Sequence, residues 1–241
     1  MSFISVIIPA LNEEEPISDV VCGVAATNIP GEIIVVDNGS TDRTSARARE
    51  AGARVIAQPR KGYGRACMAG VRALSPECTV VVFLDGDGSD CPEFMNQLVE
   101  PIARGTHDFV IGSRTRGQRE PGSMNLQQIL SGRIAGFILR LLYGVRYTDM
   151  SPFRAIRRDE LRGLGMKEET YGWNLEMLMR VAAARLPAIE IAVGQRRRIG
   201  GVSKVSGNLI AGGKAAWSIS LTFVRLALEL RHQKLLADKS G

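Results

Sequence analysis

Aromatic residues make up only 5% of the 241 positions. None interleaves the basic clusters, so the stacking platform that a nucleic acid needs is missing. The four cysteines, Cys22, Cys67, Cys78 and Cys91, form no C-x-x-C pair, and only His107 and His232 could assist them. That excludes a zinc framework and a disulfide scaffold, and it fits a reducing compartment. The opening Met1-Ser2-Phe3-Ile4-Ser5-Val6 lacks the basic start and cleavage site of a signal peptide and reads at once as a strand. No apolar run reaches the roughly 18 uncharged residues of a spanning helix. The longest, Leu209 to Leu230, is broken by Lys214, Arg225 and Glu229. The expectation is a cytoplasmic protein, peripheral at the inner face of the membrane if it meets one.

Apolar residues account for 45% of the chain and charged residues for 23%, a composition that builds one large α/β domain without staples. Lys plus Arg is 31 against 25 for Asp plus Glu, a net +6. Much of the excess is local: Arg114, Arg116 and Arg119; Arg154, Arg157 and Arg158; Arg196, Arg197 and Arg198 with Lys204. With nucleic acid disfavoured, phosphate-bearing substrates or an anionic membrane surface are the partners this charge suits.

Short apolar runs at Ser5–Ile8, Ile33–Val36, Arg54–Ile56, Val80–Leu84 and Phe109–Ile111 alternate with helical spacing at about Glu14–Ala26, Arg43–Ala51, Gly64–Leu74 and Pro92–Ala103. Such alternation predicts a mostly parallel sheet with helices on its faces. Beyond it, Gly117–Met124 reads as a mobile loop, Ile129–Tyr143 as an amphipathic helix, Trp173–Arg185 as a helix and Ala188–Val193 as a strand. A basic loop follows from Gln195 to Gly207, and a terminal helix from about Asn208 to Lys234. Ligands of parallel sheets bind beyond the carboxyl ends of the strands, and the chemical residues gather there. Pro9-Ala10-Leu11-Asn12-Glu13 follows the first strand, Asp37 to Asp42 the second, and Asp85-Gly86-Asp87 a later one.

Asp85 and Asp87 are two positions apart, so an extended strand end points both to one side. Paired carboxylate oxygens suit a hard divalent cation, Mg²⁺ or Mn²⁺, which in turn suits a diphosphate. Lys61, Gly62, Gly64 and Arg65 form a flexible basic turn ahead of a helix N-terminus, free to approach phosphate or base. Arg114, just past a strand end, can clamp phosphate bidentately. Arg196–Arg198 and Lys204 form a second phosphate-seeking group, with Gly200-Gly201 as its hinge. Asp90 reads first as the N-cap ahead of Pro92, with recruitment to the same metal as the alternative.

In their order along the chain, Pro9-x-x-Asn12-Glu13, Val35-Val36-Asp37-Asn38-Gly39-Ser40-Thr41-Asp42 and Asp85-Gly86-Asp87 strongly resemble the family 2 glycosyltransferases of the GT-A fold. Within that family they look most like the polyprenyl-phosphate (dolichyl-phosphate) sugar transferases. Lys61-Gly62-Tyr63-Gly64-Arg65-Ala66 and Arg198 to Gly207 extend the match, which covers about residues 2–207. The resemblance implies a Rossmann-like, mostly parallel sheet with flanking helices in a domain of residues 1–207. Residues 208–241 would be a helical extension packing on the domain, on a homodimer partner or on a membrane surface.

It also implies roles. Asp37 would contact the nucleotide, framed by Pro9, Leu11 and Glu13. Asp87 would be the direct metal ligand, with Asp85 and Gly86 beside it. Arg198, Ser203 and Lys204 would close on the donor diphosphate or the acceptor phosphate. Asp149, Arg154, Trp173 and Glu176 would build the acceptor side, where Ser151 stands in place of the family's glycine. The expected reaction moves a hexosyl group from a UDP- or GDP-linked sugar, with inversion, to a polyprenyl phosphate. With a soluble hydroxyl acceptor instead, a base is required, and Asp149, then Glu176, is the candidate. Two rivals are a sugar-phosphate nucleotidyltransferase, whose glycine-rich start is missing here, and a catalytically silent nucleotide-sugar binding module.

Overall fold

Residues 2–199, 223 and 225–230 are described by a computed structural model of the chain. Their framework is a seven-stranded sheet: β1 (Phe3–Ala10), β2 (Glu32–Asp37), β3 (Arg54–Ala57), β4 (Cys78–Phe83), β5 (Phe109–Ser113), β6 (Arg154–Arg157) and β7 (Ala188–Ala192). They lie in the order β3-β2-β1-β4-β6-β5-β7. β1 to β4 run parallel, β7 is parallel to β5, and β6 enters antiparallel to both β4 and β5. The helices are α1 (Ile17–Ala26), α2 (Thr44–Glu50), α3 (Tyr63–Arg72), α4 (Met95–Ala103), α5 (Leu126–Tyr143), α6 (Arg158–Gly163) and α7 (Trp173–Ala183).

The alternating pattern of β1 explains the two cores. Val6 and Ile8 face a layer built with Ile17, Val21, Val24 and Leu98, whereas Ile7 faces Ala66, Cys67, Phe83 and Trp173 on the opposite side. Successive strand residues point to opposite faces, so one run of apolar residues serves both layers. Such sheets are covered on both faces.

Four expectations are corrected. The first helix begins at Ile17 rather than Glu14, after Pro16, whose fixed φ favours a helix start. Pro92–Ala103 divides into a 3-10 turn at Pro92–Phe94 and α4. α5 starts three residues before the predicted Ile129, because Asn125 and Gln128 form a capping box that fixes its first turn. Gly117–Met124, read as a mobile loop, is tied to the chain ahead of Arg196. Gln195 N donates to the Gln118 carbonyl at 3.0 Å, and Glu120 N donates to the Gln195 carbonyl at 2.9 Å.

α3 meets the segment before α7 very closely. A Cβ on Gly64 would collide with the Glu168 carbonyl, while the Gly64 and Arg65 N–H groups donate to the Thr170 and Glu169 carbonyls at 3.2 and 3.0 Å. Gly64→Ala should therefore destabilise the protein by about 1–3 kcal/mol, the usual range for overpacking. A lower urea midpoint at unchanged m-value is the expected reading; an unchanged midpoint would show that this contact gives way freely.

Candidate active site

The chain runs β1, β2, β3 toward one edge of the sheet and then returns to place β4 on the other side of β1. The switch point thus falls between β1 and β4, where open α/β sheets bind ligands at the carboxyl ends. Glu13 follows β1, and Asp85 and Asp87 follow β4, so this crevice has acids on both walls.

Arg198 joins the walls. Its guanidinium contacts Glu13 Oε1 and lies 3.5 Å from Asp87 Oδ2. The next residue adds a backbone tie, Ile199 N donating to the Asp87 carbonyl at 3.1 Å. Asp87 Oδ1 also accepts from Ser89 N at 2.9 Å. Gly86 fits between the walls: a Cβ there would meet the Pro9 carbonyl and the Ala10 Cβ at 3.3 Å. Its expected place beside the ligand is, in the structure, a close approach of two strand ends.

Asp85 is held by a group that sequence reasoning assigned no role. The Tyr63 hydroxyl donates to Asp85 Oδ1 at 2.9 Å from the first position of α3. Asp90 Oδ2 accepts from Asp85 N at 2.9 Å, so Asp90 belongs to this acid cluster. It is not the N-cap expected before Pro92; that position is Cys91, and no side chain caps the turn. Burial, and then the charges of Asp87 and Asp90, push the Asp85 carboxyl well above its ordinary range. Asp90 is pushed to about 7, chiefly by burial, even though it accepts the Asp85 amide. Negative charge is thus crowded here beyond what nearby cations balance. Three acids within six residues were the available signal; the role of Tyr63 had none.

At the end of β2, Asp37 Oδ1 accepts from Ser40 N at 2.8 Å, and Oδ2 accepts from the Ser45 hydroxyl. Partial burial raises this carboxyl, but those hydrogen bonds outweigh it and hold it below the usual carboxylate range. Asn38 fastens the basic turn beneath: its Nδ2 donates to the Gln58 and Arg60 carbonyls, and its Oδ1 accepts from Gly62 N at 2.7 Å. Gly62 has φ +150°, a conformation that side chains rarely adopt. Arg65 is not free as expected, because it pairs with Glu169 and donates to the Lys61 carbonyl at 2.7 Å. Pro9 is buried near the end of β1, and Leu11 is half-buried just beyond it.

Across the cleft, Arg114 and Asp149 form a bidentate pair. Arg114 Nε donates to Oδ2 and Nη2 to Oδ1, both at 2.8 Å, and Arg114 N adds a third bond to Oδ2 at 2.9 Å. Met150 N donates to Oδ1 at 2.7 Å. Burial raises the Asp149 carboxyl, but its bonds and the Arg114 charge prevail and hold it low. Sequence reading gave Arg114 to phosphate; the structure gives its fork to Asp149, 35 positions away.

Glu176 is fully buried and turned to other partners: Lys167 N at 3.0 Å, Glu168 N at 2.6 Å and Arg180 Nε at 2.8 Å. Trp173 packs edge-on against Phe83 with ring centroids 6.2 Å apart, beneath the β4 acids. Arg154, fully buried, donates to the Asn174, Met150 and Ser151 carbonyls, and burial lowers it to about 10. Ser151 is buried, and its Oγ accepts from Phe153 N at 3.2 Å. Ser203, Lys204, the Gly200-Gly201 hinge and most of the terminal helix lie outside the described residues.

Residues 5–165 match the family described as Glycosyl transferase family 2. An uncharacterised glycosyltransferase of Mycobacterium tuberculosis is 36% identical over 208 residues, covering 86% of this chain and 91% of that one. A dolichyl-phosphate hexose transferase of Haloferax volcanii is 33% identical over 231 residues, 95% of each chain. The crystal structure of glucosyl-3-phosphoglycerate synthase from Mycobacterium tuberculosis with Mn²⁺, UDP-glucose and phosphoglyceric acid aligns with a TM-score of 0.76 at 26% identity, over 94% of this chain and 80% of that one. The α/β GT-A architecture implied by the motifs is the one the sheet displays. The matched segment runs from β1 through α6 and carries both acid-bearing walls of the crevice, and the chain belongs to glycosyl transferase family 2.

Proposed function

We propose that this glycosyltransferase moves a hexosyl group from a nucleoside diphosphate sugar to a polyprenyl phosphate at a membrane surface, with inversion at the anomeric carbon. The observation that carries the donor half is the crevice between β1 and β4, where Asp87 and Glu13 face Arg198 and Asp85 sits beside them, held by Tyr63. The donor set fits a Mg²⁺ or Mn²⁺ ion. Among the described residues no three acids, histidines or cysteines are grouped to cage a metal by themselves. Mg²⁺ characteristically takes one or two carboxylates and completes its shell with substrate phosphates and water. Asp87 would be its first ligand, with Asp85 behind it. Such an ion supplies charge neutralisation to the departing diphosphate.

This chain's residues do the remaining work. Asp37 accepts a hydrogen bond from the nucleoside, and Pro9, Leu11 and Glu13 frame it. Tyr63 orients Asp85 through its hydroxyl. Arg198 brings a fixed positive charge beside Asp87, where negative charge grows as the sugar–phosphate bond breaks.

The acceptor half rests on the state of the carboxylates across the cleft. A general base works best with a pKa near the working pH. Asp149 is held low and accepts four hydrogen bonds, and Glu176 is engaged with the backbone ahead of α7. Neither is suited to removing a proton from an alcohol. A phosphate acceptor is already anionic near neutral pH and needs only alignment with the leaving group. The similarity to the dolichyl-phosphate hexose transferase over 95% of both chains supports a lipid phosphate. The similarity to a synthase crystallised with phosphoglyceric acid supports a soluble acceptor as the second reading.

A panel of labelled UDP- and GDP-sugars, offered with a short-chain prenyl phosphate, phosphoglyceric acid and simple alcohols, tests both halves. Metal-dependent transfer to the prenyl phosphate is expected. Transfer to alcohols alone would overturn the acceptor assignment. Cleavage of the nucleotide sugar to a nucleoside triphosphate and a sugar 1-phosphate only when pyrophosphate is added would indicate a nucleotidyltransferase, and binding without turnover a silent module.

A further inference from the structure

α5 is built the wrong way round for a helix that only covers a sheet. Its buried positions are small or isolated: Gly132, Ala135, Gly136 and Leu139. Most of its large apolar side chains point outward. Leu126, Leu130, Ile134, Phe137 and Leu141 are between 51% and 80% exposed. At 100° per residue these five fall within an arc of about 80°, roughly opposite the buried arc. Arg133 and Arg140 lie within about 40° of one edge of that stripe, and both are exposed, as is Arg146 just past the helix. No acidic residue occurs between Glu120 and Asp149.

We propose that this outer face of α5 seats the enzyme on an anionic lipid bilayer; the inference rests on the reading of the acceptor as lipid-linked. A contiguous exposed apolar stripe marks an interaction surface. The stripe suits the acyl boundary, and the arginines along its edge suit lipid phosphates, as in helices that lie in the plane of a membrane interface. A second copy of the chain fits poorly: a two-fold contact presents the same patch from both sides and brings arginine to arginine with no acid between them.

The placement gives the surface a consequence for the site. A Cβ on Gly136 would collide with the Tyr147 carbonyl, and one on Gly132 would lie 3.4 Å from Asp149 Cα. α5 is thus pressed directly onto the segment that carries Asp149. A bilayer against its outer face lies one helix away from the acceptor wall, so a membrane-held phosphate need travel little to enter the cleft.

Flotation with phosphatidylglycerol-containing vesicles and with phosphatidylcholine-only vesicles tests this. The full chain should float with the anionic vesicles and much less with the neutral ones. Ile134→Glu/Phe137→Glu should lower the bound fraction at least tenfold while leaving circular dichroism and transfer to a soluble short-chain prenyl phosphate unchanged. Transfer to that soluble acceptor by a wild-type protein that binds no vesicle would overturn the surface and leave the acceptor reading standing. Flotation without transfer to any prenyl phosphate would support the surface and remove the acceptor reading. A concentration-dependent dimer abolished by the same double substitution would assign the stripe to a second copy and overturn the proposal. Loss of soluble transfer in the folded variant would place the stripe in the catalytic machinery, with the same consequence.

Discussion

Asp87→Ala should reduce transfer by about a thousandfold, the scale of losing a fixed electrostatic contact at the reacting centre, and should leave the fold in place. The side chain projects into the crevice rather than into either core. Its contacts are Ser89 N, through Oδ1, and Arg198, through Oδ2, and Arg198 keeps Glu13 as a partner once Asp87 is gone. The thermal midpoint should therefore move little. What should vanish is linkage: titration calorimetry should show UDP binding that Mn²⁺ strengthens in the wild type and leaves unchanged in the variant. Asp85→Ala should be less selective, because the half-buried Asp85 holds Tyr63 and its own turn in place. Substantial activity in Asp87→Ala would remove the metal role from this residue.

Asp149→Ala should act first on stability. It leaves the Arg114 guanidinium, whose side chain is 12% exposed, without its bidentate partner. Removing one member of a buried pair typically costs about 3–5 kcal/mol, because an uncompensated charge remains. For a domain of this size that corresponds to a fall in Tm of roughly 6–20 °C. Arg114→Met combined with Asp149→Leu should recover much of the loss, since replacing both charges by apolar groups is far milder than stranding one. A double variant no more stable than Asp149→Ala would show that the pair is not the source of the effect.

The same pair sets a pH dependence. The folded-state pKa of Asp149 is depressed below the ordinary 3.8, and that of Asp37 likewise. Folding thus gains from both carboxylates at pH values above 3.8, and the gain disappears as pH falls through their lower folded values. Acid unfolding of Asp149→Asn should be shallower below pH 4 than that of the wild type.

The sequence made the strand ends legible because their acids interrupt runs of apolar residues: Asp37 after Val35-Val36, and Asp85 after Phe83-Leu84. What escaped it depends on contacts between distant residues. β6 is four residues long with arginine at both ends, and nothing local marks it as a strand. It exists because β4 and β5 leave a gap that an antiparallel strand fills. α6 follows it directly and is only six residues long. Arg114 past a strand end suits phosphate because its fork can bind two oxygens; only the fold brings Asp149 to that fork. The resemblance gives Glu176 to the acceptor side; in the fold its carboxylate organises the turn at Lys167 and Glu168 that α3 packs against. The roles of Tyr63 and Asn38 likewise arise where separate loops meet.

The most direct measurement is the anomeric configuration of the product formed from an α-linked nucleotide sugar and a short-chain prenyl phosphate, read by proton NMR with Mn²⁺ and again with EDTA. A β-linked product in Mn²⁺ and no product in EDTA is the expected result. An α-linked product, or undiminished transfer in EDTA, would contradict it.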